Sequence, residues 1–381
     1  MSVAEVIRAS VGGSLPRLSV TRRIVGLISI TWLPMCVLAI AQGNAIASTP
    51  RASFLLDFAT YARFFVAAPL LVLAELVIRP RMTETCSQFV RTGFVRSTDQ
   101  HLVERALDRL TRRRDSRWAT VLLLALAIFG AWNLTVESLR GDQFESWQTV
   151  SASGNDAVHH SLAGFWNHLI ALPIVLFLFY RWVWRILVWT LFLRSVARLD
   201  LQLVPAHADG AGGLGFLEIV PRAFGLLAFG VTSIVSADIA FSLVYEHGQL
   251  SAFTGPLLVL LVVLEVIFLC PLLVFTPVML RARYRGLREY GDLVVRYNRD
   301  FQRKWIERTT REEAPLLGSA DIQSLADVGN SFQFVRRMRL VPFGLDTALH
   351  LTCISALPLV PLLVLAMPLT QIFHVLTKLM F

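Results

Sequence analysis

Apolar residues gather in seven long blocks, at 24–41, 58–78, 118–136, 165–189, 223–245, 255–280 and 345–367, separated by segments dense in arginine. A helix rises ~1.5 Å per residue and the hydrocarbon core of a bilayer is ~30 Å thick, so about 20 apolar residues suffice to cross it. Each block is read as a membrane span. Pro34, Pro69, Pro173, Pro271, Pro277 and Pro358 fall inside these blocks. In a packed bundle, neighbouring helices satisfy the backbone groups that proline frees, so kinked spans are expected rather than interrupted ones.

Two polar segments carry a helical stripe of their own. Between 283 and 311, Leu287, Tyr290, Val294, Tyr297, Phe301 and Trp305 recur at steps of three and four. This predicts an amphipathic helix continuing the sixth span. Val103, Leu107 and Leu110 form a shorter stripe within 97–114, behind Ser97 and Gln100, which have the spacing of a capping box. The two helices are expected to pair beneath the membrane. Pairing between copies of the chain, giving a homo-oligomer, and lying on anionic lipid are the alternatives. A short helix at 321–328 and an interfacial segment at 332–340 complete this layer.

The termini add two expectations. The first block follows a leader of 23 residues and precedes Ala45-Ile46-Ala47, which imitates a signal-peptidase site. Its apolar core is longer than that of a cleaved signal, so a retained span is expected. Residues 345–381 exceed one span, and a surface helix at 369–381 is preferred to a returning hairpin.

Composition agrees with the membrane class: of 381 residues 55% are hydrophobic and 17% charged, and mean hydropathy is +0.59. The net charge of +9 would suit a nucleic-acid partner in a soluble chain. Its distribution argues otherwise. With the N-terminus inside, 32 of the 36 Lys and Arg residues face the cytoplasm, leaving Arg51, Arg63, Arg140 and Lys378 outside. The expectation is therefore an all-α, polytopic bundle of about seven spans in a bacterial-type inner membrane. It comprises a cytoplasmic leader at 1–23 and one bundle at 24–380, with cytoplasmic helical insertions at 79–117 and 281–340. Its expected partners are the bilayer and anionic lipid headgroups, with no nucleic acid. The four cysteines lack metal-ligand spacing and read as small core residues.

Candidate chemistry lies in four places. Asp238 and Glu265 fall within the fifth and sixth blocks. A carboxylate costs roughly 2.5–3.5 kcal/mol at the centre of a span, so such residues face the bundle and find a partner. The expectation is a shared proton or cation site at similar depth on adjacent helices. Its alternative is a structural ion pair or hydrogen bond, for instance with Arg63. The segment from His207 to Gly215 matches G-x-G-x-x-G at Gly210, Gly212 and Gly215, but follows a basic membrane helix rather than a strand, which removes the dinucleotide reading. Asp209 capping a tight loop is the plain reading. The sharper one is an anion or lipid-headgroup site built from Arg194, Arg198, His207, Asp209, Gly210, Gly212 and Gly213.

Trp182, Trp184 and Trp189 surround Arg181 and Arg185, as expected of an interfacial anchor, with a headgroup role open. Glu75, four residues before Arg79, is expected in an interfacial ion pair. His159, His160 and Asp156 lack a convincing metal geometry, and neither metal nor cofactor is expected.

The run from Arg63 to Leu71 with Glu75, the segment Arg181-Trp182-Val183-Trp184-Arg185, the glycine-rich segment from His207 to Phe216, and Val341-Pro342-Phe343 together resemble an uncharacterised family of bacterial polytopic inner-membrane proteins. The resemblance implies membrane class and no activity. Movement of a small solute or ion through Asp238 and Glu265 is the leading functional expectation. A lipid or phosphoester binder, or enzyme, at the His207 to Gly215 loop is the alternative, and a signalling or assembly role is the second.

Overall fold

A computed structural model describes residues 17–141, 146–151, 158–307 and 320–366. Seven helices in it are long and apolar enough to cross a membrane. They are α1 (Arg17–Ala41), α2 (Phe58–Arg91), α4 (Arg117–Gly141), α5 (Leu162–Ala197), α6 (Ile219–Tyr245), α7 (Leu250–Leu269) and α10 (Leu345–Ala366), with α3 (Gln100–Arg114), α8 (Thr276–Phe301) and α9 (Ala320–Arg337) completing the helical set. Among the described residues the β structure is one antiparallel hairpin, β1 (Thr149–Ser151) and β2 (Val158–His160).

The apolar pattern explains the layers. α6 lies at the centre, packed most extensively on α2 and α10, while α4 and α3 both lie on α5. The largest core cluster, with Ile78, Phe89, Trp189, Phe224 and Phe275, fills the arginine-rich half of the bundle. A second, around Met35, Phe54, Phe64 and Trp147, fills the other half beneath the hairpin. Outward faces such as Val121, Phe129, Val259 and Val262 stay exposed, as faces turned to lipid must. α2 and α5 each contain one π-helical turn, Ala62–Ala67 and Asn167–Ala171, just before Pro69 and Pro173. Each proline withholds a backbone N–H, and the widened turn relieves the ladder it would have broken.

Prolines also shape the sixth block. It is one helical span with an interruption, as the prolines predict: α7 ends at Leu269, a 3₁₀ turn spans Cys270–Phe275 around Pro271, and α8 follows directly with Pro277 in its first turn. Likewise Pro358 places a 3₁₀ turn, Leu357–Leu359, inside α10. The expected helix at 369–381 lies outside the described residues.

The amphipathic helices do not choose each other as principal partners. α3 packs on α5, burying Val103 and Leu107, and α8 packs on α9. The stripe Leu287, Tyr290, Val294, Tyr297 and Phe301 is half-buried there, while Leu293 and Val295, to either side of it, are exposed. The Tyr297 hydroxyl donates to the Asp321 carbonyl and the Trp305 indole to the Asp321 carboxylate. One continuous helix, α9, replaces the expected short helix and interfacial segment. Ser97 does not cap: it opens a 3₁₀ turn, and no side chain caps α3.

Candidate functional site

Asp238 and Glu265 do not form the expected shared site. α7 begins at Leu250, five residues before the expected start, so Glu265 lies fifteen residues along it, ~22 Å at helical rise. Asp238 lies seven residues, ~11 Å, from the end of the preceding helix at Tyr245. Their partners differ accordingly. Glu265 accepts a hydrogen bond from the Thr352 hydroxyl of α10 at 3.1 Å. Asp238 is exposed and lines a cavity of about 400 Å³ with Arg51, Asp57, Trp147, Gln148 and Glu246. Its charged neighbours are Asp57, Arg63, Glu246 and Arg51.

The glycine-rich loop is internally satisfied. Asp209 Oδ1 accepts from the N–H groups of Ala211 at 2.8 Å and Gly213 at 3.1 Å, and Oδ2 from Gly215 at 2.9 Å. These are the donors an external anion would need. Burial pushes the Asp209 carboxyl up, but these three backbone hydrogen bonds and His207, 2.9 Å away, hold it below its ordinary value of 3.8. Arg339 locks the loop from outside, donating through Nη2 to the Asp209 carbonyl. Gly213 is needed twice over: its φ is +95°, and a Cβ there would come within 2.2 Å of the Phe94 ring. Arg194 is exposed, and Arg198 lines a separate cavity with Asp200, Arg281 and Arg285. Of the expected anion site at Arg194, Arg198, His207, Asp209, Gly210, Gly212 and Gly213, the backbone donors of the loop are thus engaged by Asp209 itself, while Arg198 lines another cavity.

The cavity richest in opposed chemistry lies where α1, α2, α3 and α5 converge. On α5, Arg181, Arg185 and Trp189 follow at steps of four and share a face. Arg185 Nη2 pairs with Glu75 Oε1 of α2 at 2.8 Å, with side chains only 14% and 20% exposed. The Arg185 guanidinium also sits 4.8 Å from the ring centre of Trp182, whose indole N–H donates to the Leu71 carbonyl. The Trp184 indole donates to the Arg113 carbonyl, tying the end of α3 to α5. Beside it Arg114 grips Asp115 through two hydrogen bonds. Those bonds outweigh burial and hold the Asp115 carboxyl below its ordinary value.

The resulting cavity has a volume of about 350 Å³ and is lined by five arginines, Arg23, Arg79, Arg114, Arg181 and Arg185, against two carboxylates, Glu75 and Asp115. Both carboxylates already have arginine partners. Arg23 and Arg181 are exposed, and among the described residues neither makes a hydrogen bond or ion pair. Trp189, 1% exposed, lines the same cavity, and its buried indole N–H has no acceptor. A second cavity, of about 500 Å³, shares Arg23, Glu75, Arg181, Trp182 and Arg185 and continues along Leu27, Val72, Leu124, Ile128 and Phe177. A basic chamber and an apolar groove therefore lie side by side, sharing Arg23, Glu75, Arg181, Trp182 and Arg185 in their linings.

Sequence reasoning named Arg181, Arg185, Trp182 and Glu75 separately, as anchor and interfacial pair. It missed the convergence, because Arg23 and Arg114 come from other helices. Among the described residues no group of three or more His, Cys, Asp or Glu is placed to hold a metal. Fold and site define a polytopic integral membrane protein with seven apolar helices, three of which, with α3, line an arginine-rich cavity. Comparison with protein families, with curated proteins and with solved structures gives no match.

Proposed function

We propose that the protein binds an anionic amphiphile, a lipid bearing a phosphate group, with its headgroup in the arginine cavity and its chain in the adjoining groove. The observation that carries this reading is the wall common to the two cavities, which joins excess guanidinium charge to an apolar trough. Guanidinium groups bind phosphate through paired N–H donors. A free phosphoester would use the chamber and leave the groove without a role. The arginine-rich side is taken as cytoplasmic, in a bacterial-type inner membrane with the N-terminus inside, on the positive-inside rule.

Ion transport through Asp238 and Glu265 loses its basis, because the two carboxylates have separate partners. Binding at the glycine loop loses its basis too, because Asp209 occupies the donors.

Tryptophan fluorescence of the purified protein, titrated with a short-chain phosphatidic acid, a short-chain phosphatidylcholine and glycerol 3-phosphate, tests the proposal. Hydrogen bonds to charged groups contribute about 1.5–3 kcal/mol each, so Arg181→Gln should weaken phosphatidic acid binding roughly 10- to 150-fold. Glycerol 3-phosphate should bind more weakly than the lipid, and at the same arginines. Equal affinity for the neutral and the anionic lipid, or no effect of Arg181→Gln, would reject the site.

A further inference from the structure

In the half of the bundle away from the arginine cavity, four buried polar atoms stand close together without partners: His160 Nε2, Asn167 Oδ1, and both ring nitrogens of His168. The His160 and His168 rings are 4.9 Å apart, and Asn167 is only 2% exposed. Native interiors leave few such atoms unsatisfied, and water is the usual partner where none is supplied by protein. The tautomer of His160 sharpens the requirement. Its Nδ1 faces the Gln148 carbonyl at 3.4 Å, and in the neutral tautomer that donates there Nε2 is an acceptor needing a donor. Asn167 Oδ1 and one nitrogen of His168 are acceptors as well, which favours a small donor as occupant.

A polar cavity lies next to this cluster. Gln148, whose carbonyl holds His160, also lines the cavity of about 400 Å³ that contains Asp57 and Asp238. Arg63 lies within electrostatic range of both carboxylates and of His168. Arg63 and His168 each lie on a π-helical turn, in α2 and α5 respectively, and such turns recur at functional sites. Beyond His168 the interior closes: Phe64, Ala68, Ala171 and Val175 are buried in one apolar cluster.

We propose that these residues form a water-filled half-channel, open at the Asp57 and Asp238 cavity, passing Arg63, and ending on Asn167, His168 and His160. Its occupant is water, and with it the protons that water carries. It is independent of the lipid site, which lies seventeen residues further along α5 at Arg185.

The test is thiol accessibility in membrane vesicles. With Cys36, Cys86, Cys270 and Cys353 replaced by Ala, single cysteines at Asn167, His168, Gln148 and Ala171 are exposed to a cationic, membrane-impermeant methanethiosulfonate on the cavity's side. A thiol in water ionises and one in apolar surroundings does not, so Asn167→Cys and His168→Cys should react about tenfold or more faster than Ala171→Cys. Reaction at Gln148→Cys with none at Asn167→Cys or His168→Cys would overturn the half-channel. The unsubstituted protein gives a second reading by NMR: water cross-peaks to the His160 and His168 imidazoles are expected, and their absence would also overturn it.

Discussion

Glu75→Gln is the most informative single change, because Glu75 both holds Arg185 and helps set the charge of the cavity. The Glu75–Arg185 pair is 2.8 Å long and its members are 20% and 14% exposed. Removing one member of a fully buried pair costs about 3–5 kcal/mol, since it leaves an uncompensated charge; with one-fifth exposure about 2–4 kcal/mol is expected. Water at the cavity mouth offsets part of the loss. Replacing both charges should be far gentler: Glu75→Gln with Arg185→Gln leaves two neutral groups of similar volume, so most of the lost stability should return. Thermal unfolding of the purified variants in one detergent measures this. The single variant should melt well below wild type and the double variant between the two. Phosphatidic acid affinity should follow a different order, falling in the double variant despite its recovered stability, because Arg185 is gone. A double variant no more stable than Glu75→Gln would refute the reasoning about the buried charge.

Further expectations follow from the same geometry. Asp209 is held below its ordinary value of 3.8, so the stability it contributes should be present above about pH 4 and be lost as pH falls through its lowered folded-state value. The gap in melting temperature between wild type and Asp209→Asn should therefore narrow in acid, and a constant gap would assign its role to shape rather than charge. Gly213→Ala should destabilise the protein by roughly 1–3 kcal/mol, since the left-handed backbone and the Phe94 ring both exclude a side chain; an unchanged melting curve would contradict this. Asp238→Asn and Glu265→Gln should be additive in thermal unfolding to within about 0.5 kcal/mol if the two carboxylates do not interact. Periplasmic thiol labelling should fail at cysteines introduced in 79–117 and 281–339 and succeed at Asp142→Cys; the reverse pattern would invert the orientation.

The spans were legible because a bilayer imposes its own length on apolar runs, and each of the seven blocks overlaps one transmembrane helix. Helix ends were less so. Pro271 was read as a kink, and with Pro277 it tightens six residues of the sixth span into a 3₁₀ turn, because two prolines six residues apart remove two ladder donors in one stretch. The stripe on α8 gave its buried face correctly but not its partner. An amphipathic pattern states that a face needs covering, and α9 rather than α3 covers it.

Site reading failed for a related reason. Asp238 and Glu265 drew attention as single costly residues, whereas depth depends on where α7 starts, and Leu250 to Thr254 extends that helix without a strong apolar signal. Arg181 and Arg185 looked like an ordinary interfacial anchor because their sequence neighbours are tryptophans. Only the meeting of four helices brings Arg23, Arg79 and Arg114 to the same cavity, where Glu75 and Asp115 are the carboxylates of its lining among the described residues. The glycine motif misled in the opposite direction: its N–H groups do converge, but on the carboxylate of Asp209 within the same loop.

The most direct test of the lipid site is an experimental structure of the protein in nanodiscs containing phosphatidic acid, solved beside one containing only phosphatidylcholine. The account predicts headgroup density within hydrogen-bonding distance of Arg181, with chain density running between α4 and α5 past Leu124 and Ile128, in the anionic nanodisc alone. A cavity free of lipid in both, or filled alike in both, would contradict it.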